Sequence, residues 1–338
     1  IVHPCEVFRS TRCCKDVATV RKNEYVNLPV ICLVGPTASG KSGLAVRVCR
    51  RLYVDEHPAE IINTDSMVVY RGMDIGTATP TLREQRTVVH HLVSILDVTV
   101  PSSLVLMQTL ARDAVEDCLS RGVIPVLVGG SALYTKAIID EMSIPPTDPE
   151  VRARWQEKLD AEGPRVLHDE LARRDPKAAE SILPGNGRRI VRALEVIDLT
   201  GSFTATIPDG TLHWPKTVQM GLELSRKDID QRIADRVDQM WAYGFVDEVR
   251  SLANVGLREG LTASRALGYR QVLEYLNGDY DEDEARRRTI IGTRRFARKQ
   301  LMWYRRDDRI EWFNALAPDL DDRVVARVLT ALTTDEED

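Results

Sequence analysis

Residues 35–42 read GPTASGKS, the spacing G-x-x-x-x-G-K-[ST]. Glycines at its ends let backbone N–H groups turn inward on phosphate oxygens. Lys41 adds a point charge, and Ser42 offers a hydroxyl to Mg2+. A helix opening directly after such a loop presents its positive end to the same anion. Gly35, Pro36, Thr37, Ala38, Ser39, Gly40, Lys41 and Ser42 are therefore assigned to a di- or triphosphate site. The loop reads phosphates and leaves the rest of the ligand open. A second reactive group stands at Asp65, closing EIINTD. An acid at a strand exit beside a phosphate loop lies where α/β proteins bind ligands. Three readings stand for it: a metal-holding carboxylate, a general base, or a helix cap acting with Ser66. The later strand VIPVLVGG ends on two glycines, so it brings no acid to the site.

These groups need a scaffold. PVICLVG (29–35) is an apolar run of strand length, and SGLAVRVCRRL follows with helical spacing. EIINTD and VIPVLVGG (123–130) repeat the strand pattern around the amphipathic stretch MQTLARDAVEDCLSRG. Strands alternating with helices imply a parallel, doubly wound sheet. From residue 145 to about 215 the pattern changes to short helices and loops, which predicts a helical insertion. VQMGLELSR (218–226) returns to strand spacing. Helices are expected over 227–243, 246–255 and 262–276 and through the basic segment beyond. The fold class is α/β: a P-loop NTPase-like doubly wound parallel sheet with a helical insertion domain and C-terminal helices. Residues 1–27 are read as an irregular extension, 28–144 and 216–315 as the core, 145–215 as the insertion, and 316–338 as a helix with an acidic tail.

The 338 residues are 43% hydrophobic, enough for a core, and carry a formal charge of −5. That mean conceals residues 286–306, RRRTIIGTRRFARKQLMWYRR, with nine Lys/Arg and no acid. Local fields rather than the mean steer partners. Arg188, Arg189 and Arg192 make a second compact cluster on one helical face. Phe296, Trp303 and Ile310 recur at helical spacing and are read as core, with the cations facing nucleic acid. No run of 18 apolar residues is present, so no membrane partner is expected. The start, IVHPCEVFRSTRCCKDV, lacks the apolar stretch of a signal peptide, which points to the cytoplasm. The six cysteines form no CxxC pair and are read as buried or incidental thiols. His90 and His91 have no third ligand nearby in the sequence and are read as packing and hydrogen-bonding residues.

GPTASGKS, NTDSMVVYRGMDIGTATP, PVLVGGSALYTKA, GNGRRIVRALEV and ALGYRQ occur in this order. Together they resemble bacterial tRNA dimethylallyltransferases, over roughly residues 28–313. The resemblance implies that the loop holds dimethylallyl diphosphate rather than ATP, with Mg2+ on Ser42. It implies transfer of the dimethylallyl group to the exocyclic N6 amine of the adenosine 3′ to the anticodon, extruded from its stack. Asp65 matches the family's general base, Thr37 a loop threonine near the reacting groups, and Arg232 a diphosphate arginine, with Arg236 one turn on. The tRNA-facing positions it implies are Asp65, Ser66, Met67 and Val68, then Ser131 and Arg152. Arg188, Arg189 and Arg192 join them. Ala266, Leu267, Gly268, Tyr269, Arg270 and Gln271 follow, then Lys299, Gln300, Trp303, Arg305 and Arg306. Val68 and Val89 depart from the family pattern, where a polar residue and a proline are usual. The partners implied are a tRNA anticodon stem-loop and dimethylallyl diphosphate, with a monomeric enzyme and no protein partner. An adenylate isopentenyltransferase, a small-molecule kinase and a nucleotide-switched RNA-binding protein are the rival readings.

Overall fold

Every residue of β1 (Val30–Val34) is buried. Its side chains alternate between two cores, as strand geometry requires. Val30, Cys32 and Val34 join Tyr70, Met107 and Val115 on one face. Ile31 and Leu33 join Leu44, Val48, Leu52, Phe313 and Val324 on the other. Burial on both faces is what a central parallel strand looks like in sequence: continuous rather than alternating hydrophobicity.

The computed structural model describes residues 28–203 and 210–333; the extension 1–27, with Cys5, Cys13 and Cys14, and the acidic end lie outside the described residues. After β1 come α1 (Lys41–Val54), β2 (Ala59–Asn63), α2 (Leu82–Thr87), β3 (His90–His91), α3 (Leu104–Ser120), β4 (Ile124–Gly129) and α4 (Ala132–Ile139). Four helices follow: α5 (Pro149–Glu162), α6 (Pro164–Arg174), α7 (Pro176–Ser181) and α8 (Gly187–Thr200). The chain then adds β5 (Thr217–Glu223), α9 (Arg226–Ala242), α10 (Phe245–Ala253), α11 (Tyr269–Leu276), α12 (Glu282–Tyr304), β6 (Ile310–Asn314) and α13 (Leu320–Thr333).

The sheet order is β3-β2-β4-β1-β5-β6 with parallel neighbours throughout. This order sets the exits of β2, β4 and β1 side by side, so Asp65, Gly130 and the phosphate loop open on one edge. The packing there is close. A Cβ on Gly129 would meet the Thr64 hydroxyl at 2.0 Å. The helices between residues 149 and 200 bury Trp155, Leu167, Leu171, Ile190 and Leu194 in a core of their own. Among the described residues, no helix is long and apolar enough to cross a membrane.

Two expectations are corrected. The helix expected over 262–276 is broken: a 3-10 turn at Ala263–Arg265 precedes α11, with Gly268 between them. Gly268 has φ 88°, and a Cβ there would come 3.1 Å from the Phe245 ring. Glycine answers both demands. Ile310 does not continue a helical face. It lies in β6, an edge strand on β5. The helix expected after residue 315 is present as α13, and it packs onto the core. In α13, Val324, Val325 and Val328 pack with Leu44 and Leu52 of α1, and Arg47 pairs with Asp321 at 2.6 Å.

Candidate active site

The phosphate loop turns through left-handed backbone at Gly40 (φ 93°) and at Ala38 (φ 63°), a conformation rare for a residue with a side chain. Helix α1 starts at Lys41 with no acid in its first turn. Its positive end thus keeps its attraction for an anion. Lys41 Nζ donates to the Pro36 carbonyl at 3.3 Å. Burial pushes the Lys41 pKa down to about 8, opposed by Asp65 and reinforced by the Arg236 charge.

Helix α9 brings two further cations over the loop. Arg232 Nη1 donates to the Ser39 carbonyl at 3.4 Å. Arg236 reaches the Thr37 hydroxyl at 3.4 Å and the Thr77 carbonyl at 3.1 Å. Burial also lowers the Arg236 pKa, and Asp65 opposes that shift. Cations withdrawn from water favour an anionic ligand strongly, because little solvent screens them.

Asp65 faces these charges. Asn63 grips its backbone, accepting from Asp65 N at 3.0 Å and donating to Asp65 O at 2.9 Å. Oδ1 of Asp65 accepts from Met67 N at 2.9 Å. No helix starts at Asp65, since residues 66–69 form a turn and the next helix is α2, so the helix-cap reading is corrected: Oδ1 closes a turn. Oδ2 has no hydrogen-bond partner among the described residues, which leaves it available to a ligand.

These groups share a cavity of about 730 Å³. Thr37, Ala38, Gly40, Lys41, Ser42, Asp65, Arg232 and Arg236 line it, and so do Ser66, Met67, Val68, Ser131, Ala266, Leu267, Tyr269 and Phe296. One ligand space thus holds cations, a carboxylate and an apolar wall. Its volume is within the ~300–1,000 Å³ usual for small-molecule sites. Gly35, Pro36 and Ser39 do not line it; they are buried beneath the loop and shape it from behind.

The sequence profile of the IPP transferase family matches residues 68–307. A tRNA dimethylallyltransferase of Thermobifida fusca is 54% identical over 300 residues, covering 88% of this chain and 94% of that protein. One from Kineococcus radiotolerans is 55% identical over 292 residues, covering 86% and 92%. The chain belongs to the IPP transferase family. Among solved structures, the tRNA isopentenylpyrophosphate transferase of Bacillus halodurans has 36% identity and a TM-score of 0.66, covering 90% of this chain and 96% of that one. A eukaryotic dimethylallyltransferase acting on tRNA has 22% identity and a TM-score of 0.71, covering 92% and 81%, and shares the fold.

Within this IPP transferase scaffold, several expected nucleic-acid contacts prove to be internal. Gln271 is 4% exposed and accepts from Gly268 N at 2.8 Å, holding the break before α11. Tyr269 is fully buried, and its hydroxyl donates to Glu248 at 2.6 Å. Ala266 and Gly268 are buried as well; Ala266 and Tyr269 meet the cavity rather than the outer surface. Gln300 is 6% exposed and bonded to two loops. Arg192 is no free cation. It donates to the Pro145 and Pro146 carbonyls and pairs with buried Glu195 at 2.8 Å. Arg152 lies 3.9 Å from the same carboxylate.

Phe296 and Trp303 are not core: they are 44% and 45% exposed. The buried side of α12 is instead Ala285, Thr289, Ala297, Gln300 and Tyr304. Small and polar residues there let α12 approach closely without a hydrophobic stripe. Trp303, Arg306, Arg189 and Lys136 line a second cavity of about 460 Å³. Leu267 and Arg270 are exposed, the latter 3.6 Å from Glu274. Arg305 pairs with Glu223 at 3.3 Å. Arg188 and Lys299 are exposed, with no partner among the described residues. The sequence reading also missed cavity residues: Arg265, Thr289 and Thr293 carry no motif, whereas Gly76 and Thr77 lay inside the quoted MDIGTATP.

His90 and His91 are hydrogen-bonded as expected, His90 Nδ1 meeting the Val88 carbonyl at 2.8 Å. His91 does have neighbours with ligand atoms, because Glu60 Oε2 lies 2.6 Å and Cys118 Sγ 3.8 Å from its Nε2. Arg121 holds both Glu60 oxygens at 2.8 and 2.7 Å. Burial opposes ionisation of Glu60, but Arg121 and His91 together pull its pKa down to about 2. The cluster is a charge-compensated hydrogen-bond network. Cys32, Cys49 and Cys118 are free and buried.

Proposed function

We propose that this protein transfers a dimethylallyl group from dimethylallyl diphosphate to the N6 amine of the adenosine 3′ to the anticodon in tRNA, releasing diphosphate. One observation carries the reading: a free carboxylate oxygen on Asp65 shares a cavity with Lys41, Arg232 and Arg236. An exocyclic amine is a weak nucleophile, and it needs a base beside it. An allylic diphosphate is a good electrophile once its leaving group is neutralised. The N6 lone pair attacks C1 of the allyl group, and the C1–O bond breaks with its electron pair leaving on diphosphate. The N6 proton passes to Asp65 Oδ2. Lys41, Arg232 and the N-terminus of α1 take up the charge of the leaving group. Thr37, held by Arg236, orients the diphosphate rim.

The Ser42 hydroxyl is exposed at the start of α1 and has no partner among the described residues. A hard oxygen donor there fits Mg2+, and Ser42 would hold the ion. When bound, the ion adds neutralising charge to the leaving group.

Two features support tRNA over a free nucleotide as acceptor. The tRNA dimethylallyltransferase relatives align over 88% and 86% of the chain, lengths that take in the helical insertion. Exposed Arg188, Arg295 and Lys299 also lie outside the cavity, where a mononucleotide would not reach. A tRNA acceptor places the work in the cytoplasm. A kinase reading lacks support, because β4 ends on glycine where a nucleotide-hydrolysing site wants a metal-holding acid.

Ligand choice tests the reading. Dimethylallyl diphosphate at about 100 times its dissociation constant should stabilise the fold by about 2.7 kcal/mol, visible as a raised melting temperature. ATP at the same concentration should protect less. Equal or greater protection by ATP, with release of inorganic phosphate, would move the assignment to a kinase.

A further inference from the structure

Gln300 belongs to the cationic run of α12, yet its side chain is withdrawn into the protein. Its amide is divided between two loops. Oε1 accepts from Thr37 N at 2.9 Å, and Nε2 donates to the Gly130 carbonyl at 2.7 Å. Thr37 is in the phosphate loop, and its hydroxyl is the one Arg236 meets. Gly130 follows the last residue of β4 and precedes Ser131 on the cavity wall. The fit is tight: a Cβ on Gly130 would come 2.5 Å from Gln300 Nε2. Its neighbours on the same helix look outward. Lys299 precedes it, Arg295 lies five residues before it, and both are exposed with no partner among the described residues. One rigid helix therefore carries unpaired charge on its outer side and an amide that fixes the phosphate loop on its inner side. A hydrogen bond weakens steeply with misalignment, so a small shift of α12 is felt at Thr37.

We propose that Gln300 is a positioning residue that couples the two substrates. RNA docked on the outer side of α12 holds the helix where Gln300 seats Thr37, and the seated loop grips diphosphate more tightly. By linkage, bound diphosphate tightens RNA binding by the same factor. The proposal rests on the tRNA-prenylation reading above.

The test measures dissociation constants for inorganic diphosphate, which binds without reacting, with and without a saturating unmodified anticodon stem-loop RNA. In the wild-type protein, RNA should tighten diphosphate binding about fivefold or more, the lower end of ordinary coupling. Gln300→Leu keeps the volume and removes both hydrogen bonds. It should bring that ratio to about one while leaving RNA affinity, measured alone, within about twofold. Gln300→Glu keeps an acceptor for Thr37 N but sets an oxygen against the Gly130 carbonyl, and should give an intermediate ratio. If the Leu variant does not fold, the Glu variant carries the same comparison. A wild-type ratio of one overturns the proposal. So does a variant that loses melting temperature but keeps the wild-type ratio, since that is a structural role alone. If the wild-type protein binds neither RNA nor diphosphate, the functional reading fails and this proposal falls with it. If both bind and the ratio ignores Gln300, only this proposal fails.

Discussion

Asp65→Asn is expected to lower the single-turnover rate of transfer by about two to four orders of magnitude, the usual range for loss of a general base. The choice of asparagine matters. Its amide oxygen can still accept from Met67 N, the bond that Asp65 Oδ1 makes now. The turn after β2 should hold, and the melting temperature should stay within a few degrees. Asp65→Ala removes both the turn bond and the base, so it should lose a comparable rate and also about 0.5–1.5 kcal/mol of stability, as the loss of one ordinary hydrogen bond does. Diphosphate affinity should survive in both, because the phosphate loop is untouched. Asp65→Asn with near-normal turnover would mean the carboxylate only closes the turn after β2.

Lys41→Met should reduce the transfer rate by about 10²–10³, the effect of losing one preorganised group that stabilises developing charge. It should also flatten a pH dependence. In the ligand-free protein Lys41 titrates at about 8, since burial disfavours its charge. Only the charged form pairs with diphosphate. Above pH 8 the site must take up a proton to bind, so affinity should fall by up to about tenfold per pH unit in the wild type. Calorimetry in two buffers of different ionisation enthalpy would report that proton uptake directly. The stability of the ligand-free fold has the opposite sign. Between about pH 8 and the ordinary lysine value, the unfolded chain holds the proton and the fold does not, so this residue contributes rising stability as pH increases. An unchanged affinity from pH 7 to 10, with no proton uptake, would place Lys41 away from the ligand.

The phosphate loop was legible because its requirements are local: glycines, a lysine and a hydroxyl at fixed spacing, between a strand and a helix. The alternating strands and helices were legible for the same reason. Asp65 was harder, because capping and catalysis ask for the same residue type. Only the geometry shows that Oδ1 closes a turn and Oδ2 is left to a ligand. The face of α12 was misread because a seven-residue recurrence of Phe296 and Trp303 states a period but not which side is covered. Gln300 was assigned to RNA on resemblance, and its true neighbours were out of reach of any local pattern: its bond to Thr37 spans 263 residues. Arg192 was grouped with its basic neighbours, while its carboxylate, Glu195, stood within an apolar helix stretch where charge is not expected. For Gln300, and for the Pro145 and Pro146 carbonyls that hold Arg192, the missing information was a long-range partner, which tertiary packing supplies and spacing does not.

The central claim is the transfer itself. The protein should be incubated with labelled dimethylallyl diphosphate and unmodified tRNA, and the RNA digested to nucleosides. The account predicts label in one nucleoside, an adenosine alkylated at N6, mapping to the position 3′ of the anticodon and lost in Asp65→Asn. Label-free RNA alongside ready prenylation of free adenine nucleotides, or RNA bound tightly with no covalent product, would contradict it.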